Sequence, residues 1–203
     1  MAIFLIDLPP NDMERRLSDA LGVYVDAMRY PRGTENQRAA MWLEHIRRRG
    51  WQGVGAVEAE AADSMGAQVP SAAELSDAPL LGVAYGYPGA PGQWWQQQVV
   101  LGLQRGGSLP DEIARLMNSY FELTELHIHP RAQGRGLGEA LARRLLAGRG
   151  EKNVLLSTPE TNNGEPNRAW RLYRRLGFTD IIRRYHFAGD PRPFAILGRE
   201  LPL

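Results

Sequence analysis

The chain has 203 residues, of which 43% are hydrophobic and 23% charged, and its formal net charge is +1. This length suits one domain or a small pair, and this composition is ordinary for a soluble globular protein. The near-zero net charge gives no overall attraction to nucleic acid, and the lack of cysteine excludes disulfides, thiolate metal ligands and a cysteine nucleophile.

The chain opens with MAIFLIDLPP, whose apolar run is too short for a membrane span and has no basic leader, so we expect a first strand and a cytoplasmic location. Asn11 is the expected cap of the helix that follows, and Tyr24 is one of that helix's apolar members at helical spacing. The predicted elements are, in chain order, a strand at 2–8, helices at 12–28 and 35–49, a strand at 51–60, an exposed loop at 61–78, a strand at 80–87, helices at 92–105 and 110–119, a strand at 121–130, a helix at 134–148, a strand at 153–159, a loop at 161–167, a helix of about ten residues within 168–178 that Gly177 stops, and strands at 179–187 and 194–201. This order predicts a mixed α/β sheet.

The stretch HIHPRAQGRGLGEALARRLL, residues 127–146, places three alternating glycines where a helix begins. Backbone N–H groups at a helix start are unpaired and lie at the positive end of the helix dipole, so such a loop can bind phosphate. A dinucleotide fingerprint needs GxGxxG and a later acidic residue, but this loop has GxGxG and residues 155–158 carry no carboxylate. A Walker loop needs Gly-Lys-Ser/Thr, and this loop does not contain that sequence. A phosphate loop of another kind and a plain strand-to-helix turn both remain open.

The residues around this loop resemble the acyl-CoA signature of the GNAT superfamily of N-acetyltransferases, V-x-P-x-x-Q/R-x-x-G-x-G/A. Its specified slots are filled, with Ile in place of Val, by Ile128, Pro130, Gln133, Gly136 and Gly138. Downstream, NRAWRLYRRLGF at 167–178 is similar to the family's second motif, N-x-x-A-x-x-L-Y-x-x-x-G-F, with the Ala one place early. The resemblance covers about 120–187.

The resemblance implies one acetyltransferase domain over 1–203, with a mostly antiparallel, twisted sheet flanked by helices and a CoA-binding core at about 120–187. It implies acetyl-CoA as co-substrate and no metal. The strand before the loop would splay from the strand at 153–159 to admit pantetheine, and a backbone N–H near Ile128 would contact the acetyl oxygen. The residues implied in CoA binding are Ile128, His129, Gln133, Gly134, Arg135, Gly136, Leu137, Gly138, Asn167 and Tyr173. Asn167 could also serve as a helix cap.

Acetyl transfer needs a neutral amine, a polarised thioester carbonyl and a stabilised leaving thiolate. The resemblance implies Tyr173 as the acid that protonates the thiolate. For the base we rank Glu122 first, Glu125 second and His127 third. Strict strand alternation puts Glu125 and His127 on one face and Glu122 on the other, although a bulge of the kind the family has in this strand changes that parity. The structural alternative for each is a solvated carboxylate or a hydrogen-bonded histidine.

More than thirty residues, about 89–120, precede the central strand where the simplest family members have a short hairpin. We predict that this helical insertion forms a lid or wall of the acceptor pocket at Trp94, with an extra packing layer or a dimer contact as the alternative, favoured for Trp95. Tyr30 and His127 are further candidates for contact with the acceptor.

The sequence therefore predicts an acetyl-CoA-dependent N-acetyltransferase that acts by direct attack in a ternary complex. Its acceptor is predicted to be a primary amine on a protein lysine, a peptide N-terminus or a small molecule. We expect no nucleic-acid or membrane partner, and a homodimer fits the resemblance. The alternative is a non-catalytic acyl-CoA-binding module that regulates a partner.

Overall fold

The structure is a computed structural model that describes residues 1–60, 70–162, 165–166 and 168–203. The strands are β1 (Ala2–Leu8), β2 (Gln52–Ala59), β3 (Leu80–Pro88), β4 (Tyr120–Ile128), β5 (Asn153–Pro159), β6 (Thr161–Asn162), β7 (Glu165–Pro166), β8 (Thr179–Tyr185) and β9 (Phe194–Glu200). The α-helices are α1 (Pro10–Arg15), α2 (Leu17–Met28), α3 (Thr34–Ile46), α4 (Ala72–Asp77), α5 (Trp94–Arg105), α6 (Pro110–Met117), α7 (Leu137–Leu146) and α8 (Arg168–Arg175).

Seven strands form one mixed sheet in the order β1-β2-β3-β4-β5-β9-β8. Strands β1 and β2, β2 and β3, β5 and β9, and β8 and β9 pair antiparallel, whereas β4 and β5 pair parallel. The parallel register joins three residue pairs, from Tyr120–Asn153 to Glu122–Leu155, although both strands are longer. The predicted fold class, a mostly antiparallel α/β sheet flanked by helices, is therefore confirmed.

The chain contacts define two compact units, of which unit 1 comprises Met1–Tyr87 and Glu125–Leu145. Its core is rich in aromatic side chains, and the rings of Trp42 and Tyr85 lie 5.0 Å apart at 78°. Gly82 of β3 allows close packing, because a Cβ there would lie 2.8 Å from the Cδ1 atom of Ile128. A side chain at that position would push the end of β4 away from β3.

Unit 2 comprises Pro88–Thr124 and Leu146–Leu203. Helix α5 presents a buried face to its core, and Gly102 on that face is needed because a Cβ would lie 2.7 Å from the Cδ1 atom of Ile182 on β8. The two helices predicted before the central strand are present as α5 and α6. The core of unit 2 includes Trp95, Val99, Leu103, Ile113, Met117, Tyr120, Leu155, Tyr185, Phe187 and Ile196.

The single helix predicted at 12–28 is wrong, because the chain forms α1 and α2 with a break at Arg16. Asn11 is not the cap, since Pro9 holds the N-cap position and makes no side-chain cap hydrogen bond. Arg16 is 4% exposed and donates to the carbonyls of Ser76 at 3.0 Å and Ala78 at 2.7 Å. These distant carbonyls hold the guanidinium at the break.

Two predicted loops are partly structured. Residues 61–69 of the loop predicted at 61–78 lie outside the described residues, but the rest contains α4, which opens with a capping box between Ser71 and Glu74. In the loop predicted at 161–167, β6 and β7 pair antiparallel. The other predicted elements occur within a few residues of their expected ends.

Candidate active site

The segment between β4 and α7 is folded by hydrogen bonds among its own residues. A short 3-10 turn, Pro130–Ala132, follows β4, and Nδ1 of His129 accepts a hydrogen bond from the backbone N–H of Arg131 at 3.3 Å. The side chain of Gln133 donates to the carbonyl of Ile128 at 3.0 Å. Gln133 therefore fastens the start of the glycine loop to the end of β4, which gives the polar slot of the sequence motif a structural role.

Two glycines of the loop adopt the left-handed backbone conformation. Gly134 and Gly136 both have φ of 78°, in the left-handed region that other residues rarely adopt, and a Cβ at either would meet no atom within 4 Å. The carbonyl of Gly136 accepts the N–H of Ala140 at 3.1 Å, and the buried Leu137 begins α7. The N–H groups of this helix start and the exposed Arg135 suit a polyphosphate ligand such as CoA.

His129, which the sequence placed among the CoA contacts, is engaged by protein groups. Its backbone N–H donates to the carbonyl of Leu81 at 2.8 Å, and its Nε2 lies 3.3 Å from the carboxylate of Asp26. The next charged residue, Arg131, forms an ion pair of 2.8 Å with Glu58. These contacts favour a supporting role for His129 at the entrance of the loop.

Four side chains of unit 1 form a connected group that includes three predicted site residues. Nε2 of His127 lies 2.5 Å from the carboxylate of Glu125, so the alternation expected for these two strand residues is confirmed. The ring of Tyr24 packs edge-on against the ring of His127 at 4.9 Å, and Tyr30 packs edge-on against Tyr24 at 5.5 Å. We call Tyr24, Tyr30, Glu125 and His127 the tyrosine–histidine cluster. Tyr24 was expected only as an apolar member of its helix.

Burial sets the protonation states beside this cluster. It raises the pKa of the Tyr24 phenol above its usual range, while the guanidinium of Arg38, 5.8 Å from the ring, acts in the opposite direction. Burial also lowers the pKa of His45 to about 4, with a smaller contribution from nearby Arg48. At neutral pH the Tyr24 phenol keeps its proton and the His45 imidazole is uncharged.

Unit 2 contains the other predicted catalytic side chains. Glu122 of β4 is 4% exposed, and Tyr173 of α8 is 7% exposed with its ring 5.6 Å from that of Phe178. Helix α8 ends at Arg175, and Gly177, the residue predicted to stop it, has a left-handed φ of 81° while the N–H of Phe178 donates to the carbonyl of Tyr173. Asn167, the residue predicted to hold the CoA arm, lies outside the described residues.

The two adjacent tryptophans of α5 have different surroundings. Trp95 is 8% exposed, and its indole N–H donates to Oγ of Ser157 at 3.2 Å. Trp94 is 50% exposed, with its ring 5.6 Å from the ring of Phe187. Trp95 therefore has the packing role that the sequence favoured for it, whereas the indole of Trp94 stays accessible.

The described parts of the chain show neither a metal-binding group nor a membrane-spanning helix. Among those residues, no three His, Asp or Glu side chains are grouped so that they could hold a metal ion. Over the same ranges, no helix combines the length and the apolar character needed to cross a membrane.

Comparison with known proteins identifies the family. Residues 96–180 match the family model of the acetyltransferase (GNAT) domain. The chain is 82% identical, over an alignment of 209 positions that spans the full length of both proteins, to the GCN5-like protein acetyltransferase Rv2170 of Mycobacterium tuberculosis. Together with the fold and the glycine loop, these matches define an acetyl-CoA-dependent acyltransferase. The chain belongs to the GNAT family of acetyltransferases.

Two solved structures share the fold at low sequence identity. The ribosomal-protein-S18-alanine N-acetyltransferase from Escherichia coli aligns with a TM-score of 0.57 and 15% identity over 100% of this chain and 96% of its own. The acetyltransferase yncA from Salmonella typhimurium, solved with its cofactor acetyl-CoA, aligns with a TM-score of 0.58 and 15% identity over the same shares. At these identities the likeness shows the fold, and the GNAT-like architecture predicted from the sequence is confirmed.

Proposed function

We propose that this acetyltransferase transfers the acetyl group of acetyl-CoA to a primary amine of a protein, with a lysine side chain as the first candidate. The observation that carries the acceptor class is the full-length match, at 82% identity, to a protein acetyltransferase. Direct attack in a ternary complex is the proposed route, since the sequence has no cysteine to carry the acetyl group. A peptide N-terminus and a small amine are the competing acceptors.

The proposed CoA site is the glycine loop. The pyrophosphate would be bound by backbone N–H groups of residues 133–138, a role supported by the left-handed Gly134 and Gly136 and by the exposed Arg135. The backbone N–H near Ile128 is the proposed donor to the acetyl oxygen, which becomes negatively charged in the transition state. Asn167 is the proposed contact for the CoA arm. The short parallel register between β4 and β5 supports the splay that would admit pantetheine.

Tyr173 is the proposed general acid. A phenol has an ordinary pKa of about 10, so it can protonate a departing thiolate and recover a proton from the amine that has attacked. The candidates for the base are the carboxylates of Glu122 and Glu125 and the imidazole of His127. Glu122 is 4% exposed, whereas the Glu125 side chain is 17% exposed. A base has to reach its amine, so this difference favours Glu125 and the His127 side chain in contact with it over Glu122, which the sequence ranked first.

The proposed acceptor contacts in unit 1 are Tyr30 and His127 of the tyrosine–histidine cluster. Trp94 on α5 is a separate candidate in unit 2. The accessible indole of Trp94 supports an acceptor contact, and it equally supports the predicted homodimer. Analytical ultracentrifugation of the wild type and of Trp94→Ala distinguishes these roles, because a dimer contact predicts dissociation of the variant. The cytoplasmic location is a further proposal, which cell fractionation tests.

The function is tested by free-thiol release from acetyl-CoA with three acceptors: lysine-bearing proteins, peptides with a free N-terminus and a panel of small amines. Release that depends on a protein lysine, with acetyl-lysine found by mass spectrometry, supports the proposal. Release with small amines alone would refute the protein acceptor. If no amine stimulates release while acetyl-CoA still binds, the non-catalytic module is favoured.

Tyr173→Phe tests the acid. The variant keeps the ring that packs against Phe178 but cannot donate a proton, so kcat should fall about 100-fold while acetyl-CoA affinity is unchanged. Steady-state kinetics and calorimetry measure the two quantities. Unaltered turnover would remove Tyr173 from the mechanism.

A further inference from the structure

The tyrosine–histidine cluster fixes which nitrogen of His127 can accept a proton. A carboxylate only accepts hydrogen bonds, so the Glu125 contact places the imidazole hydrogen on Nε2. The neutral ring then has its lone pair on Nδ1. In the part of the chain that the structure describes, no protein group is hydrogen-bonded to Nδ1 of His127.

The pair is held in place and still partly open. The edge-on Tyr24 ring packs against the imidazole, while the side chains of His127 and Glu125 are 11% and 17% exposed. A buried aromatic neighbour restricts the orientation of the ring, and partial exposure lets an acceptor approach it. Glu122, at 4% exposed, has much less access.

We infer that His127 is the general base of acetyl transfer, and that Glu125 is a positioning residue that orients the imidazole and stabilises its charged form. The inference rests on the proposed function, because it requires an acceptor that arrives as an ammonium ion. It assigns contact with the acceptor nitrogen to the imidazole instead of to Glu122 or Glu125.

The proton balance of the reaction fits this assignment. A lysine ammonium, with a pKa of about 10.4, transfers one proton to Nδ1 of His127, and the free amine attacks the thioester carbonyl carbon. As the C–S bond breaks, the attacking nitrogen loses a second proton, and the CoA thiolate takes up one. The imidazolium returns the first proton to solvent, so the products are the amide, CoA thiol and one proton.

The surrounding groups of unit 1 leave His127 as the suitable proton acceptor. Tyr24 on α2 keeps its phenol proton, because burial raises its pKa, and Tyr30 packs against that ring. From α3, Arg38 lies over Tyr24 and carries a fixed positive charge, while His45 is hydrogen-bonded to Tyr85. The Glu125 carboxylate contacts Nε2, so it can stay hydrogen-bonded to the ring while Nδ1 takes up a proton.

The test uses His127→Gln, whose side-chain amide can still donate a hydrogen bond to Glu125 but cannot take up a proton. Two acceptor peptides are compared. One carries lysine, and the other carries an aminooxy group in place of the lysine ammonium. The aminooxy group is already neutral at pH 7, so it needs no base to deprotonate it before attack. The variant should lose about 100-fold in kcat/KM with the lysine peptide and less than about 3-fold with the aminooxy peptide. Glu125→Gln should show the same selective loss at about 10-fold.

The exposed His186 provides the control, because His186→Gln should leave both peptides unaffected. Equal losses of His127→Gln on both peptides, or no loss on either, would overturn the inference. Calorimetry with acetyl-CoA checks that each variant is folded. If His127→Gln does not fold, the selective loss expected for Glu125→Gln tests the inference instead. A wild type that releases no thiol with either peptide contradicts the proposed protein acceptor, which is a separate result.

Discussion

His45 shows how a buried titratable residue couples unit 1 to pH. Its side chain is 9% exposed and lies 3.0 Å from the hydroxyl of Tyr85, within a core of aromatic rings. Burial lowers its pKa to about 4 from the ordinary 6.5, because a charged imidazole is poorly solvated there. The folded chain therefore binds this proton more weakly than the unfolded chain.

The stability contribution of His45 is complete above about pH 6.5 and is lost as the pH falls toward 4. A shift of this size corresponds to roughly 3 kcal/mol of unfolding free energy. His45→Gln cannot titrate, so the difference in stability between wild type and variant should shrink by about that amount between pH 7 and pH 4. Urea unfolding at several pH values measures it, with His186→Gln as the exposed control. A difference that stays constant with pH would contradict the assignment.

At the residue scale, residue type and spacing predicted contacts within one strand but not contacts between distant elements. Alternation along β4 was enough to place Glu125 and His127 on one face, and their contact is observed. The sequence suggested Tyr24 only as an apolar helix member, because its neighbour His127 lies about a hundred positions away and comes from another element. Contacts of this kind depend on tertiary packing and leave no local pattern.

At the element scale, the glycine loop can be tested by backbone conformation alone. Gly136 and Gly148 have φ of 78° and 68°, and neither would bring a Cβ within 4 Å of another atom. Alanine at either position should cost about 1 kcal/mol of stability, since both lose a favourable left-handed residue. Only Gly136→Ala should also weaken acetyl-CoA binding, by about 10-fold in calorimetry, because only it shifts the loop N–H groups. Equal affinities of the two variants would contradict the proposed site.

Element boundaries could be predicted where a local sequence signal, such as a glycine stop or a capping box, sets them. Gly177 ended α8 as predicted, and the capping-box pattern at Ser71 and Glu74 was present in the sequence although α4 was not expected. The break at Arg16 could not be read locally, since a charged residue in a helical pattern normally faces water. It depends on the carbonyls of Ser76 and Ala78, which are contributed by a segment some sixty residues further along.

At the scale of the whole molecule, the order of the elements and two sequence motifs were enough to predict the sheet and the family. The acceptor could not be predicted in the same way, because one fold can support enzymes that act on different amines. The residues of the tyrosine–histidine cluster come from positions 24–30 and 125–127, so the cluster exists only once the strands and helices of unit 1 have assembled.

Acetyl-CoA should stabilise the whole chain, since a ligand that binds only the folded state adds its binding free energy to folding. At a concentration 100 times its Kd, the gain is about 2.7 kcal/mol, which raises Tm by roughly 5–11 °C for a chain of this size. Differential scanning fluorimetry should show equal shifts for wild type and Tyr173→Phe, a smaller shift for Gly136→Ala at the same concentration, and none with NAD. A shift with NAD as large as that with acetyl-CoA would mean that the loop does not select CoA, because both ligands present a pyrophosphate and only the remaining contacts distinguish them.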